Sequence, residues 1–446
     1  MSEFFSEKLS QLAALRPPRR TRGSALEDER ERPHSRRDIT AEWAALADLL
    51  GAKVANNRHG EHLTVRRWHA KPEECLPLAR ALSLLLPPAL GTGDNAAQLA
   101  EDPSKWLFLD TETTGLAGGT GTYAFLVGIA WWDAGGLEVE QFFMRDHTEE
   151  HSVLLELAAR MAERPVLVTF NGKSFDWPLL ETRYRMTRAI RTPVPAAHLD
   201  LLHPARQLWR LRLPSVRLTD LERHVLSETG PLDWTRRGDL DSALIPQLYF
   251  DHLRGDGSAP LATVFRHNEM DLRALAALSR KICALLGGEL EAPADRTPER
   301  ALDLYGMSRL LGRRRDARAQ PACELALDTG LPAGVAHMAQ RELANMAKRQ
   351  RDYTRAAAIW EQLAAARGAS AAESAIEACE QLAIHFEHRE RLPARAAEWT
   401  ETALRQLRAA TRLEPSRARR LETRLGHRQQ RLARKGARLG LESQAD

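Results

Sequence analysis

The chain has 446 residues, 43 % of them hydrophobic, and its 64 basic and 60 acidic side chains leave a net charge of only +4. That length gives room for two or three domains with cores of their own. The longest apolar stretch, Ala124 to Trp132, is about half of the ~20 residues a membrane span needs, and the start Met-Ser-Glu-Phe-Phe lacks a secretion-signal pattern. Cys75, Cys283, Cys323 and Cys379 form no Cys-x-x-Cys pair. This argues against a zinc site or a disulfide framework and fits a cytoplasmic location.

Residues 1–38 hold a short amphipathic start, then Arg16, Arg19, Arg20 and Arg22 around Pro17 and Pro18, followed by Arg36 and Arg37. Such a stretch is expected to be disordered. Residues 39–100 suggest a helix from Ala41 to Leu50, a strand near Leu63 to Val65 and a helix from Cys75 to Leu86 stopped by Pro87 and Pro88. Together they read as a small adaptor beside the next domain, residues 101–290.

Trp106 to Leu109 is an apolar run leading into Asp110 and Glu112, and Gly115 marks where the chain leaves the sheet. The two carboxylates are two positions apart, so in extended geometry they point to one face. Close buried carboxylates repel and stay charged only with a cation between them, and hard divalent ions suit all-oxygen sites. Strands are expected at Tyr123 to Trp132 and Leu137 to Met144, joined by a hairpin at Asp133 to Gly136. A crossover helix over Glu149 to Ala162 and a strand at Pro165 to Asn171 follow. The next helix begins near Ser174, a candidate cap, with Asp176 in its first turn, where an anion suits the dipole. A short strand ends at Asp200, a candidate fifth acidic ligand for which a structural role at the edge of the site is the favoured reading. Gly118 to Gly121 is not a phosphate loop, because it lacks the Gly-Lys-Ser/Thr ending and a strand follows it. Late in the domain, His267 and Asp271 stand four apart on one helix face. Taken singly, each of these polar residues is more often a capping or surface residue than a ligand.

Beyond residue 300 strand patterns vanish. Over 300–412, Leu343-Ala344 maps on Leu382-Ala383 at an offset of 39, and Ala356-Ala357 on Ala396-Ala397 at 40. That period suggests a short tetratricopeptide-like solenoid, with a plain helical domain as the alternative. Trp360 and Trp399 read as packing residues. Residues 413–446 form a basic helix or tail with Arg417, Arg419, Arg420, Arg424, Arg428, Arg431, Arg434, Lys435 and Arg438. Its charge suits either polyanion binding or a solvated face.

In order, Asp-x-Glu on a strand, Asn171 to Asp176 as Asn-x-x-x-Phe-Asp, and His267 to Asp271 as His-x-x-x-Asp on a late helix resemble the DEDD exonuclease superfamily. They are most similar to its YprB-like branch, which shares the Gly-rich stretch Gly115 to Thr122, the run Ile245 to Phe250 and the pair His267-Asn268. The resemblance covers roughly residues 100 to 287 and implies an α/β fold: an RNase H-like mixed sheet with flanking helices, followed here by the all-α region. It implies 3′–5′ exonuclease activity on DNA or RNA with two Mg²⁺ or Mn²⁺ ions held by Asp110, Glu112, Asp176 and Asp271. Asp110 would bridge the ions, Glu112 and Asp271 would hold the one binding the attacking water, and Asp176 would support the other. In these families the base is a His five positions before the last Asp or a Tyr four before it. Here His267 stands at the Tyr spacing, and an imidazole can do that work near neutral pH. Thr113, Leu116, Asn171, Lys173 and Phe175 are the candidate substrate contacts. The competing functions are a catalytically silent nucleic-acid-binding module and a scaffold that binds a protein partner through its C-terminal helices.

Overall fold

A computed structural model describes residues 44–70, 84–86, 95–115, 120–133, 135–227, 234, 236, 238–290, 295–366, 368, 371–410 and 413–442, with side chains as far as Lys435. The Arg-rich N-terminal segment, Cys75 and most of the helix expected there, Leu116 to Gly119, and the Arg438 side chain lie outside the described residues.

Seven strands form one mixed sheet in the order β1-β2-β5-β4-β3-β6-β7. They are β1 (Lys53–Asn57), β2 (Gly60–Ala70), β3 (Trp106–Thr113), β4 (Ala124–Asp133), β5 (Gly136–Phe143), β6 (Val166–Thr169) and β7 (Ala197–Asp200). β3, β4 and β5 are antiparallel, whereas β6 and β7 add in parallel on the other side of β3. The parallel additions require crossovers, supplied by the helices Glu150–Glu163 and Asp176–Thr187. The hairpin β1–β2 pairs along β5 and so extends this same sheet. It is tied to the long helix Leu261–Gly287 by Arg67, whose Nη1 lies 2.6 Å from Glu269.

β3 is the central strand because its residues are apolar on both sides. Trp106 and Phe108 enter one hydrophobic core with Val166, Leu272 and Leu275, and Leu107 and Leu109 enter the other with Phe125, Leu157 and Leu180. The Phe108 face is covered by Leu261–Gly287, and that same face carries Asp110 and Glu112 farther along the strand. The strand register shifts between Glu112 and Thr113, an irregularity that ends regular pairing beside the carboxylates.

The region from Pro298 onward is helical throughout its described residues. Helix Ala333–Arg349 pairs with Tyr353–Ala365, and Ala372–His388 pairs with Pro393–Ala409, so the helix starts reproduce the offsets seen in the sequence. Trp360 is buried in their shared core, and Trp399 packs against it. Helix Pro298–Arg313 joins this region to the sheet domain at close range. A Cβ on Gly306 would stand 2.2 Å from the Leu208 carbonyl oxygen, and Arg212 Nη1 reaches Asp303 at 2.7 Å.

The basic C-terminal helix, Pro415–Glu442, leaves most of its described side chains exposed, Arg419, Arg420 and Arg434 among them, while five of its basic side chains are paired within the chain. Its charges meet an acidic row on Ala372–His388. Arg417 pairs with Glu377 at 2.9 Å and Arg424 with Glu380, while Arg428, Arg431 and Lys435 converge on Glu387 at 2.7, 2.7 and 2.9 Å. Three cations on one carboxylate, fully shielded from solvent, fasten the last helix by charge as well as by Leu421, Leu425 and Leu432.

Candidate active site

The candidate site lies where β3 ends under the long helix. Asp110 pairs across the sheet with Gly128 on β4, and Gly128 with Gln141 on β5. Asn268 rests on Gly128, whose missing side chain makes the room: a Cβ there would stand 2.0 Å from Asn268 Oδ1. Gln141 donates to Asn268 Oδ1 at 2.9 Å, and Asn268 Nδ2 donates to Asp110 Oδ2 at 2.8 Å. A three-strand row thus aims Asp110 through one amide.

Glu112 lies two residues on. Asp176 opens its helix after β6 and accepts a 2.6 Å hydrogen bond from Thr111 Oγ1. Ser174 does not cap that helix; Phe175 holds the cap position and no side chain bonds there. The backbone does the work instead, because Asn171 turns through a positive φ of 69° and Gly172 accepts from the Trp177 amide at 2.9 Å. Asp200 accepts from the amides of Asn171, Lys173 and Leu202 at 2.8, 3.1 and 3.1 Å, so it braces the loop leading to Asp176. That is the structural role its sequence position suggested.

The electrostatics show what this convergence costs. Burial, reinforced by Asp271, Glu112 and Asp176, drives the Asp110 carboxyl well above its usual range. Burial pushes Glu112 up to about 8 against the pull of His267, and it raises Asp176 as well. Among the described residues, none of these three has a Lys, Arg or His within ion-pair distance.

Asp271 differs. Arg236 contacts it and also Glu222, and lies 3.1 Å from Asp239. His267 is buried, with Nδ1 2.8 Å from Asp239 Oδ1 and Nε2 3.6 Å from Asp271 Oδ2. Burial works to lower its pKa, but Asp271, Glu112 and Asp239 outweigh it and hold the imidazole above its usual value. The Glu222 carboxyl is pushed up to about 7 by burial despite its arginine. As placed, no three His, Cys, Asp or Glu among the described residues stand close enough together to hold an ion. The donor chemistry nevertheless suits a hard cation: Asp110, Glu112 and Asp176 lie near enough to raise one another's pKa values without an ion pair among the described residues, and the fourth carboxylate, Asp271, is drawn toward Arg236.

The candidate substrate contacts ring this cluster unequally. Thr113 donates to the Gly115 carbonyl at 2.9 Å, which shapes the turn. The Phe175 ring is 59 % exposed and the Lys173 side chain is exposed, both beside Asp176. Asn171 is half-buried; Leu116 lies outside the described residues. The far end of the Gly-rich connection is pinned by Arg183, which donates to the Thr120 carbonyl at 2.8 Å and stands over the Tyr123 ring at 3.9 Å. Sequence reasoning missed Asn268's bond to Asp110, Thr111, Asp239, Glu222 and Arg236. A glycine inside the apolar β4 was the available signal for Asn268, since such a glycine often marks close approach. Asp239 and Arg236 had none, because they reach the site from a segment without periodicity.

Comparison with known proteins agrees with this geometry. Residues 107–283 match the family model described as the RNase_H superfamily, which agrees with the RNase H-like fold of this sheet and suggests nuclease chemistry with divalent ions. Over 299 residues the chain is 28 % identical to the uncharacterized protein YprB of Bacillus subtilis (strain 168), covering 67 % of this chain and 68 % of that one. Among the described residues no helix is long and apolar enough to cross a membrane.

Proposed function

We propose that the chain is a divalent-metal-dependent 3′–5′ exonuclease of the DEDD type, with Asp110, Glu112, Asp176 and Asp271 as the metal carboxylates. The observation that carries this is the cluster of Asp110, Glu112 and Asp176, half-buried side by side with raised carboxyl pKa values and, among the described residues, no Lys, Arg or His within ion-pair distance. Buried like charges without a counter-ion oppose folding, and two Mg²⁺ or Mn²⁺ ions would remove that penalty. Bound there, the ions would acidify the attacking water and neutralise charge on the phosphodiester and its leaving oxygen.

The chain's own groups do the rest. Asn268 holds Asp110, and Thr111 holds Asp176. Asp239 accepts from His267 Nδ1–H, which leaves Nε2 as the proton acceptor on the side of Asp271. The water oxygen attacks phosphorus, its proton passes to Nε2, and the 3′ oxygen leaves. Lys173 meets a phosphate and the exposed Phe175 ring stacks on a terminal base. The C-terminal helices serve as a tetratricopeptide-like appendage to this domain.

The direct test incubates the full chain with Mg²⁺ and single strands labelled at either end. A 5′-labelled strand should shorten stepwise from its 3′ end and a circular strand should survive. Cutting of the circle, or cleavage that persists in chelator, would overturn the proposal.

A further inference from the structure

Five basic side chains of the C-terminal helix are paired within the chain, and a separate set of cations lies on the helices before it. Arg313, Lys348, Arg349 and Arg389 have no carboxylate within ion-pair distance among the described residues. All four line adjoining hollows on the helical region. One, of about 480 Å³, is bordered by Asn345, Lys348, Arg349, Tyr353, His388 and Arg389. A second, of about 350 Å³, shares Asn345 and Arg349 with it and continues to Arg313 and to Arg309, whose charge is paired at 3.7 Å with Glu342 on the same wall. The row therefore crosses three alternate helices: Pro298–Arg313, Ala333–Arg349 and the end of Ala372–His388.

We propose that this groove is an accessory binding site for the backbone of a single-stranded nucleic acid, lying outside the catalytic centre. The inference rests on the nuclease reading for its choice of ligand and on the charge distribution for its location. Lys348 Nζ donates at 3.0 Å to the neutral amide of Gln381 and stands 5.7 Å from the centre of the Trp360 ring, and neither contact neutralises its charge. Arg389 stands 4.2 Å over the Tyr353 ring and donates to its hydroxyl at 2.9 Å, forming an amphipathic platform on which a base can stack. Trp360 is buried and is not part of that platform. An acidic peptide anchored by its end would need one focus of charge, whereas cations spread over three elements suit a repeating phosphate backbone. The groove is also fixed to the domain: it begins on Pro298–Arg313, the helix seated on Leu208 through Gly306 and bonded to Arg212.

The test compares full-length Arg313→Glu/Lys348→Glu/Arg349→Glu with the unaltered protein, using fluorescent single strands of ~30 and ~6 nucleotides, above and within one typical binding span. Binding to the long strand is measured in an Asp110→Asn background to suppress cleavage. Long-strand affinity should fall at least tenfold and its salt slope should drop by about 2, from the loss of three phosphate contacts. Cleavage of the short strand by the triple variant with Asp110 intact should be unchanged. The milder Lys348→Gln/Arg349→Gln should show part of the same loss, and matching thermal melts establish that both variants fold. Unchanged long-strand affinity and salt slope would overturn the groove, as would loss of polyglutamate binding with strand binding intact. The two readings fail separately. Groove-dependent binding without any cleavage refutes the exonuclease and supports the groove, and cleavage without groove-dependent binding does the reverse.

Discussion

Gly128→Ala is the sharpest perturbation of the site that touches none of its carboxylates. The new methyl would meet Asn268 Oδ1 at 2.0 Å, Cγ at 2.7 Å and Nδ2 at 2.8 Å, distances no real contact sustains. Asn268 is fully buried between Gln141 and Asp110 and cannot step aside without releasing both. Overpacking of this kind costs about 1–3 kcal/mol. Freeing the hydrogen bond to a charged carboxylate costs about 1.5–3 kcal/mol more. The sum, roughly 2.5–6 kcal/mol, corresponds to a melting temperature on the order of 10 °C lower for a domain of this size. The assay is a thermal melt of Gly128→Ala, Asn268→Ser and the double variant. Because the serine removes the clashing atoms, the double variant should melt close to Asn268→Ser alone, a strongly non-additive cycle. A Gly128→Ala protein that melts with the unaltered one, or additive losses in the cycle, would refute the packing argument.

Other predictions follow from the same geometry. His267→Ala should lower turnover by roughly 10² to 10⁴ with metal affinity little changed, and Asp239→Asn should lower it less, since it misorients the imidazole without removing it; turnover in His267→Ala equal to the unaltered protein's would reduce His267 to packing. Glu112 has a folded pKa raised to about 8 against 4.5, so its protonation stabilises the metal-free fold at low pH and that contribution is lost as pH rises through 8. Metal-free Glu112→Gln should therefore lose less stability than the unaltered protein between pH 5 and 9 in urea titrations, and parallel curves would contradict the shift. Glu387→Gln should cost about 1–2 kcal/mol once its half-exposed partners are discounted, read as a lower urea midpoint whose deficit shrinks in high salt; a salt-independent deficit would count against a charge clamp.

Much of this architecture was legible in the sequence, because it is written in periodicity. The two-faced apolar run before Asp110, the Gly-Gly hairpin and the alternation of helix and strand after Glu150 need only local chemistry to be recognised. The hairpin β1–β2 was not legible as part of the sheet. Its strand is short in apolar residues, and its place is set by pairing with β5, some seventy residues away. The carboxylates were visible as an ordered set, whereas their supports were not. Asn268 acts through a gap left by Gly128, and Asp239 and Arg236 arrive from an irregular segment, so only three-dimensional proximity reveals them. The pairing of five cations in the C-terminal basic run was hidden for the same reason: their acidic partners lie on another helix, about forty residues upstream.

The central claim is that one metal-dependent centre built on Asp110 and Asp271 removes nucleotides from a 3′ end. Its most direct measurement is stepwise degradation of a 5′-labelled single strand by the unaltered protein, Asp110→Asn and Asp271→Asn in saturating Mg²⁺ or Mn²⁺, with circular dichroism confirming that each is folded. The account predicts a ladder shortening from the 3′ end with the unaltered protein and none with either variant. A ladder of normal rate from either folded variant would contradict it.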